Sequence, residues 1–538
     1  MTRSPIARVR PDIFEPPTTP LERRRRRRRR IAAVLALVIV APSLLWGGTL
    51  AYRDLSCGPI GNGISRVDGQ CVGVTDGSFV FHPYIEQIQQ KIRKENEKVR
   101  NGGYGNLPYV RIAVLMPMTA DDHSALTMAR IRYSLQGAYA AQRRANGGAD
   151  DGFGDPTPLI QLLLANEGSN QQQWRPPVSR LTSMTTEAHP LVAVVGLGVS
   201  IPATQLAAEE LSRHQVATVG AVLTADTMRA DSFVQVSPSN GHYALALRNY
   251  LDQEYPEGHS DRRRGIVVYD QNSDMYTRTL REAYEQHLED FMVEGPAQQF
   301  NGILNEEEPV PLFDHVSTQV CAAKAVRIFY AGRERELKNH FIPSLARKHC
   351  ADREENNEQL TIMLGSTGLS SLRDEETVDL LKRHRIRVVY ASSIDSDGWN
   401  GRADEVLGNE QEDGLPDVLT GMPVGYPSFY QKLHALFSTQ EADDALADGY
   451  AAMHHDAVAT AVLATRQAAR ERKESVPTHK HVASALWKLN ILGEVPAAGG
   501  TLSFSPEGLG WPSGKPIPIL SIPPDTQPPL PTSEPYIT

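Results

Sequence analysis

The sequence predicts an α/β protein with two doubly wound parallel sheets, set behind an N-terminal transmembrane helix. Three observations predict it. From Tyr109 onward, short Val, Ile and Leu runs alternate with longer amphipathic stretches. That is the pattern of βαβ units whose strands are buried on both faces. Eight such runs fall within about 280 residues, more strands than one open sheet commonly holds. Upstream, residues 31–52 carry no charged side chain and follow eight consecutive arginines at 23–30.

The uncharged stretch is 22 residues long. As a helix it measures about 33 Å at about 1.5 Å per residue, enough for a hydrocarbon core of about 30 Å. It lacks the polar face that a helix of a soluble core would show. Positive-inside bias places the arginines in the cytoplasm and everything after Tyr52 outside the cell. The expectation is a single-pass cell-membrane protein with an uncleaved signal anchor. A cleaved signal peptide and lipid anchoring at Cys57 are the competing readings. Residues 1–30 hold 11 Arg against 3 acidic residues, while the remaining chain holds 44 basic and 61 acidic ones. A basic stub on an acidic body argues against nucleic acid as the partner.

All four cysteines, Cys57, Cys71, Cys321 and Cys350, follow the span. An even number in an oxidising compartment predicts disulfides. Of three possible pairings, proximity favours Cys57 with Cys71 and Cys321 with Cys350. Free buried thiols are the alternative, and no CxxC or HxxxH spacing supports a metal site.

Along the chain, residues 1–30 read as a disordered Arg-rich tail. Residues 53–107 read as a disulfide-stapled linker ending in a helix, where Ile85, Ile88 and Ile92 repeat at helical spacing. Strands are expected at 112–116, 159–164, 191–195, 216–219, 266–269, 326–330, 361–364 and 386–390. Helices are expected between them at 131–144, 203–214, 243–253, 276–288 and 337–348, and an Ala-rich one at 445–472. Residues 401–418 read as a surface loop. The last 28 residues hold nine prolines, so 521–538 reads as a Pro-rich tail.

Catalysis finds little support. There is no Gly-x-Ser-x-Gly, no His-Glu-x-x-His and no Walker loop. Gly196 and Gly198 follow a strand, but Ile201 stands where a dinucleotide fingerprint needs its third glycine. His454 and His455 point about 100° apart on a helix, a poor metal pair. One is expected in the core or facing a lobe, the other in solvent. No enzyme activity, cofactor or metal is expected.

Binding fares better. In parallel sheets, ligands sit beyond the carboxyl ends of the strands, where helix N-termini favour anions. Ser200 ends the loop after the strand at 191–195, and Pro202 fits the first turn of the next helix. Ser200 is placed to cap that helix or to hold a carboxylate. Thr224 offers a hydroxyl from the neighbouring strand's loop.

These residues carry a family resemblance. Residues 110–119, with Pro117 and Thr119, resemble the first strand and loop of type 1 periplasmic binding proteins, in the leucine/isoleucine/valine-binding branch of ABC-transporter receptors. The helix ending in Asn146, Gly147 and Gly148 is similar to that family's first helix. Gly196 to Ser200, Phe233 to Pro238, Asp270 to Tyr276, and Gly500 with Phe504 and Gly508 are similar to its later motifs. The match covers about 108–520.

The resemblance implies two lobes joined by three crossovers, near Pro238, Tyr390 and Leu486, closing on a ligand. Lobe 1 would be about 108–238 and 391–486; lobe 2 about 239–390 and 487–520. Ser200 with Leu223 and Thr224 would hold the ligand's carboxylate. Tyr276 would reach the ligand from the second lobe, and Arg333, just past Tyr330, would serve an acidic or amide-bearing ligand or stand in solvent. Three features depart from the pattern: Thr277 follows Tyr276 in place of a glycine, Ile201 replaces a second serine, and no acid stands near Thr367 to take an ammonium. The expected protein is a membrane-anchored extracytoplasmic receptor of an ABC permease, binding a small polar amino-acid-like or carboxylate solute. A sensory ectodomain with a signalling partner, or a ligand-free clamshell used for assembly, are the alternatives.

Overall fold

The computed structural model describes residues 24, 57–58 and 63–538, except 122–123, 149–152, 273, 303–310, 349, 351–354, 409–420, 491–492 and 525–535. The chain divides into Met1–Gly61 and Asn62–Thr538, and the second unit carries every element below. The expected span at 31–52 lies outside the described residues. Among the described residues, no helix is long and apolar enough to cross a membrane.

The first sheet has the order β1-β2-β4-β3-β5-β6-β7. Its strands are β1 (Ile64–Val67), β2 (Gln70–Thr75), β3 (Tyr109–Met116), β4 (Leu159–Asn166), β5 (Leu191–Gly196), β6 (Ala217–Gly220) and β7 (Phe233–Gln235). Strands β3 to β7 are parallel. Every residue of β4, β5 and β6 is buried, which is why they read as unbroken apolar runs. Along β3, Ile112, Val114 and Met116 enter one core, and Ala113 and Leu115 the other. The two-residue period of a strand thus feeds both helical layers. Strands β1 and β2 form an antiparallel hairpin that β2 joins to β4. Residues 64–67 and 70–75 of the stretch expected as a linker are therefore strands of this sheet. The helix of that stretch, α1 (Glu86–Arg100), buries Ile88 and Ile92 in the same core. Helices α2 (Met128–Gly147), α3 (Arg175–Ser183) and α4 (Pro202–Arg213) complete this half.

After β7 the chain enters the second lobe with α5 (Asn240–Glu254). The second sheet holds the parallel strands β8 (Gly265–Asp270), β9 (Gln298–Phe300), β10 (Arg327–Ala331), β11 (Leu360–Ser366) and β12 (Ile386–Ser392). Helices α6 (Met275–His287), α7 (Pro311–Ala322), α8 (Ile342–Arg347) and α9 (Glu375–Arg383) connect them. The disulfide Cys321–Cys350 closes this lobe, with Cα atoms 5.4 Å apart. Cys57 and Cys71 are also disulfide-bonded, and no described cysteine is free.

The chain then returns to the first core with α10 (Ser396–Gly408), α11 (Tyr426–Leu436), α12 (Thr439–Asp448), α13 (Tyr450–Arg472) and α14 (His479–Leu486). Residues 401–408 are helical rather than loop, because Trp399 and Ala403 bury an apolar face in the first core. Residues 445–472 are two helices, broken at Gly449, whose φ of 81° is left-handed. The third crossover is not near Leu486. Leu489, Leu502 and Phe504 are still in the first core, around the hairpin of β13 (Val495–Ala497) and β14 (Gly500–Leu502). The chain passes over only after Lys515. Next come β15 (Pro516–Ile517) and β16 (Ile519–Ile522), which pairs antiparallel with β12. The chain end is no free tail either, since β17 (Tyr536–Ile537) pairs with β15.

Candidate functional site

The carboxyl ends of the two sheets face each other, and Arg130 shows it. Arg130 lies in the first turn of α2, just beyond β3, where Thr127 caps the helix. Its Nη2 donates to the Gly368 carbonyl, 3.0 Å away beyond β11, and to the Glu334 carboxylate beyond β10. Its Nε donates to Asp448 at 3.2 Å. The guanidinium also lies 4.8 Å from the Tyr450 ring centroid. Burial opposes the charge on Arg130, but Asp448 and Glu334 outweigh it and hold the group well above its ordinary value. The Ser371 hydroxyl donates to Glu334 and the Ser370 hydroxyl to Asp448, both at 2.6 Å.

The expected residues lie on the loops and helix starts that follow strands of the two sheets. Ser200 is buried, but it does not cap α4, whose N-cap is Ile201. Its Oγ accepts instead from the Thr224 and Ala225 amides, at 3.1 and 3.3 Å. Those amides are therefore taken, and Ser200 has a hydroxyl proton left to offer. Leu223 points its side chain into an apolar core and has only backbone to offer. Thr224 is buried, and its carbonyl accepts from the Asn240 amide at 2.8 Å. The Asn240 side chain reaches on to the Tyr276 carbonyl at 2.9 Å. Asn240, first residue of α5, thus brings Thr224 and Tyr276 together across the first crossover.

Tyr276 donates its hydroxyl to the Gly365 carbonyl at 3.1 Å, and burial raises its pKa. Arg333 is half-buried. It pairs with Asp274, the residue that caps α6, and its guanidinium lies 5.7 Å from the Tyr276 ring centroid. Burial works against its charge, and Asp274 overcomes this and raises its pKa. Both second-lobe residues are thus held within their own lobe.

Near Thr367, where the sequence has no acid, Asp448 of α12 comes close from another element. Gly368 touches Asp448 so closely that a Cβ there would stand 1.8 Å from the Asp448 carbonyl oxygen. Asp448 is fully buried, and its Oδ1 has no hydrogen-bond partner. Sequence reasoning missed Arg130, Glu334 and Asp448. The only local signal was Gly449, a helix-breaking residue inside the stretch 445–472 that reads as one helix.

His454 and His455 are both buried, against the expectation that one would be solvated. His455 shares hydrogen bonds with Asp456 and Arg144, each at 2.9 Å. Asp456 accepts the Ala498 and Gly499 amides at 2.7 and 2.9 Å, so this group braces the β13–β14 hairpin.

The chain matches no protein-family model and no curated protein sequence. Among solved structures it is similar to an extracellular ligand-binding receptor from Rhodopseudomonas palustris HaA2. The identity is 11% and the TM-score 0.51, over 77% of this chain and 97% of that one. The protein Rp1789 of Rhodopseudomonas palustris CGA009 is similar at 12% identity and a TM-score of 0.50, with the same coverages. Likeness at this identity speaks for the fold, that of the type 1 periplasmic-binding clamshell.

Proposed function

We propose that this protein is an extracytoplasmic solute-binding receptor, anchored in the membrane by residues 31–52, that hands a small amino-acid-like or carboxylate solute to an ABC permease. One observation carries the reading. Two doubly wound sheets present their carboxyl ends to each other across polar, buried side chains, the place where such sheets bind ligands. The Ser200 and Thr224 hydroxyls suit a carboxylate, and the unpaired Asp448 Oδ1 suits an ammonium. Hinge closure on the solute would change the outer surface that a permease reads, with no chemical step.

A thermal-shift screen of the full chain against amino acids, amides and carboxylates tests the proposal. A true solute at about 100 times its dissociation constant adds about 2.7 kcal/mol of stability. Ser200→Ala and Thr224→Ala should remove most of that shift. Ser200→Ala also strips the acceptor from two buried amides, at about 1–3 kcal/mol each. The readout is therefore the difference with and without solute, within each variant. An unchanged difference in both variants refutes the site.

A second reading has its own observation: Tyr276, Arg333 and the amides beside Ser200 already have partners within the chain. A clamshell used only for assembly would show no shift with any solute.

A further inference from the structure

The ion cluster around Arg130 contains more than a passing contact between lobes. Its partners come from three separate segments: the helical turn Glu334–Glu336 after β10 (Glu334), the loop after β11 (Gly368), and the junction of α12 and α13, which supplies the Asp448 carboxylate and the Tyr450 ring. The acceptors are themselves fixed, Glu334 by Ser371 and Asp448 by Ser370. Gly368 lets the second lobe approach, since any side chain there would meet the Asp448 backbone. The Arg130, Glu334 and Asp448 side chains are 14%, 11% and 1% exposed, so solvent screens the contacts little. A planar guanidinium with five N–H donors matches two carboxylates and a carbonyl better than an ammonium would.

We propose that Arg130 is a built-in clasp: the first lobe inserts its own guanidinium into an anionic, aromatic cage shared with the second lobe, and so biases the cleft toward closure. Closure is then held partly by the chain itself, and a solute acts on lobes already drawn together. The inference rests on the receptor reading for its purpose, though the contact stands without it. The cage carries two carboxylates against one guanidinium. It is therefore a cation site that the chain fills from within, and a small free guanidinium should fit it once Arg130 is removed.

The test uses the full chain in detergent, with a fluorescent donor and acceptor at Arg213→Cys and Lys382→Cys, exposed positions on the first and second lobes. Arg130→Ala and Glu334→Gln should each lower energy transfer as the lobes part. Methylguanidinium should restore transfer in Arg130→Ala and leave Glu334→Gln unchanged. Transfer equal to the parent in both variants overturns the clasp, as does a methylguanidinium effect that is absent or is the same in both. If Arg130→Ala fails to fold, Glu334→Gln decides alone. The solute screen on the parent is read separately. A solute shift with unchanged transfer keeps the receptor and rejects the clasp. Lowered transfer without any solute shift does the reverse.

Discussion

Glu167 follows β4 with both carboxylate oxygens buried and without a hydrogen-bond partner. Burial pushes its carboxyl up to about 8, against 4.5 unfolded. The folded state therefore holds a proton that the unfolded state releases between pH 4.5 and 8. Stability is full below pH 4.5 and falls as pH rises through that window, by up to about 1.4 kcal/mol per pH unit. Glu167→Gln should melt well above the parent at pH 8 and close to it at pH 5. Equal melting temperatures at pH 8 would reject the assignment. His454 works in the opposite sense. Burial lowers it to about 4 from 6.5, so its share of stability is present above pH 6.5 and lost on acidification toward 4. At this scale the sequence showed where Ser200 and Thr224 stand. It could not show that Ser200 Oγ takes the amides of the next loop, because that contact joins neighbouring strands of a sheet.

Helices α2 and α13 meet where Gly137 faces Ala451, and a Cβ on Gly137 would stand 1.8 Å from the Ala451 carbonyl oxygen. In an exposed helix, Gly to Ala stabilises by roughly 0.5–1 kcal/mol. Here the backbones would have to separate, and overpacking of this kind costs about 1–3 kcal/mol. Gly137→Ala should lower the denaturant midpoint at unchanged slope, and a rise would show that the helices part freely. The long parallel strands were legible because burial on both faces writes an unbroken apolar run. The short strands β9, β13 and β14, three residues each, were not, since three residues show no period. The helix at 401–408 was misread because its composition is polar, and only Trp399 and Ala403 mark its buried side.

Across the whole molecule, the last strands decide how the second sheet ends. Strand β16 covers the edge of β12 from Val388 to Ala391, and β17 returns to pair with β15. Lys515, fully buried, anchors the start of this return by donating to the Gly499 carbonyl at 2.9 Å in the first lobe. Deleting residues 516–538 should expose the β12 edge, and amide hydrogen exchange at Val388 and Tyr390 should accelerate severalfold while β3 and β5 stay protected. Unchanged protection of β12 would mean that the return strand contributes nothing to the sheet.

By itself the sequence determined the class of fold and the two sheets, because burial and period are local consequences of side-chain chemistry. It did not determine which side chains meet between the lobes. The partners Arg130, Glu334, Gly368 and Asp448 are spread over more than 300 residues, and each alone reads as an ordinary helix or loop position. Nor did it show where the chain last crosses, since Leu486 and Lys515 both end plausible segments. Only the folded backbone, by packing Leu489, Leu502 and Phe504 onto the first core before releasing the chain, settled that.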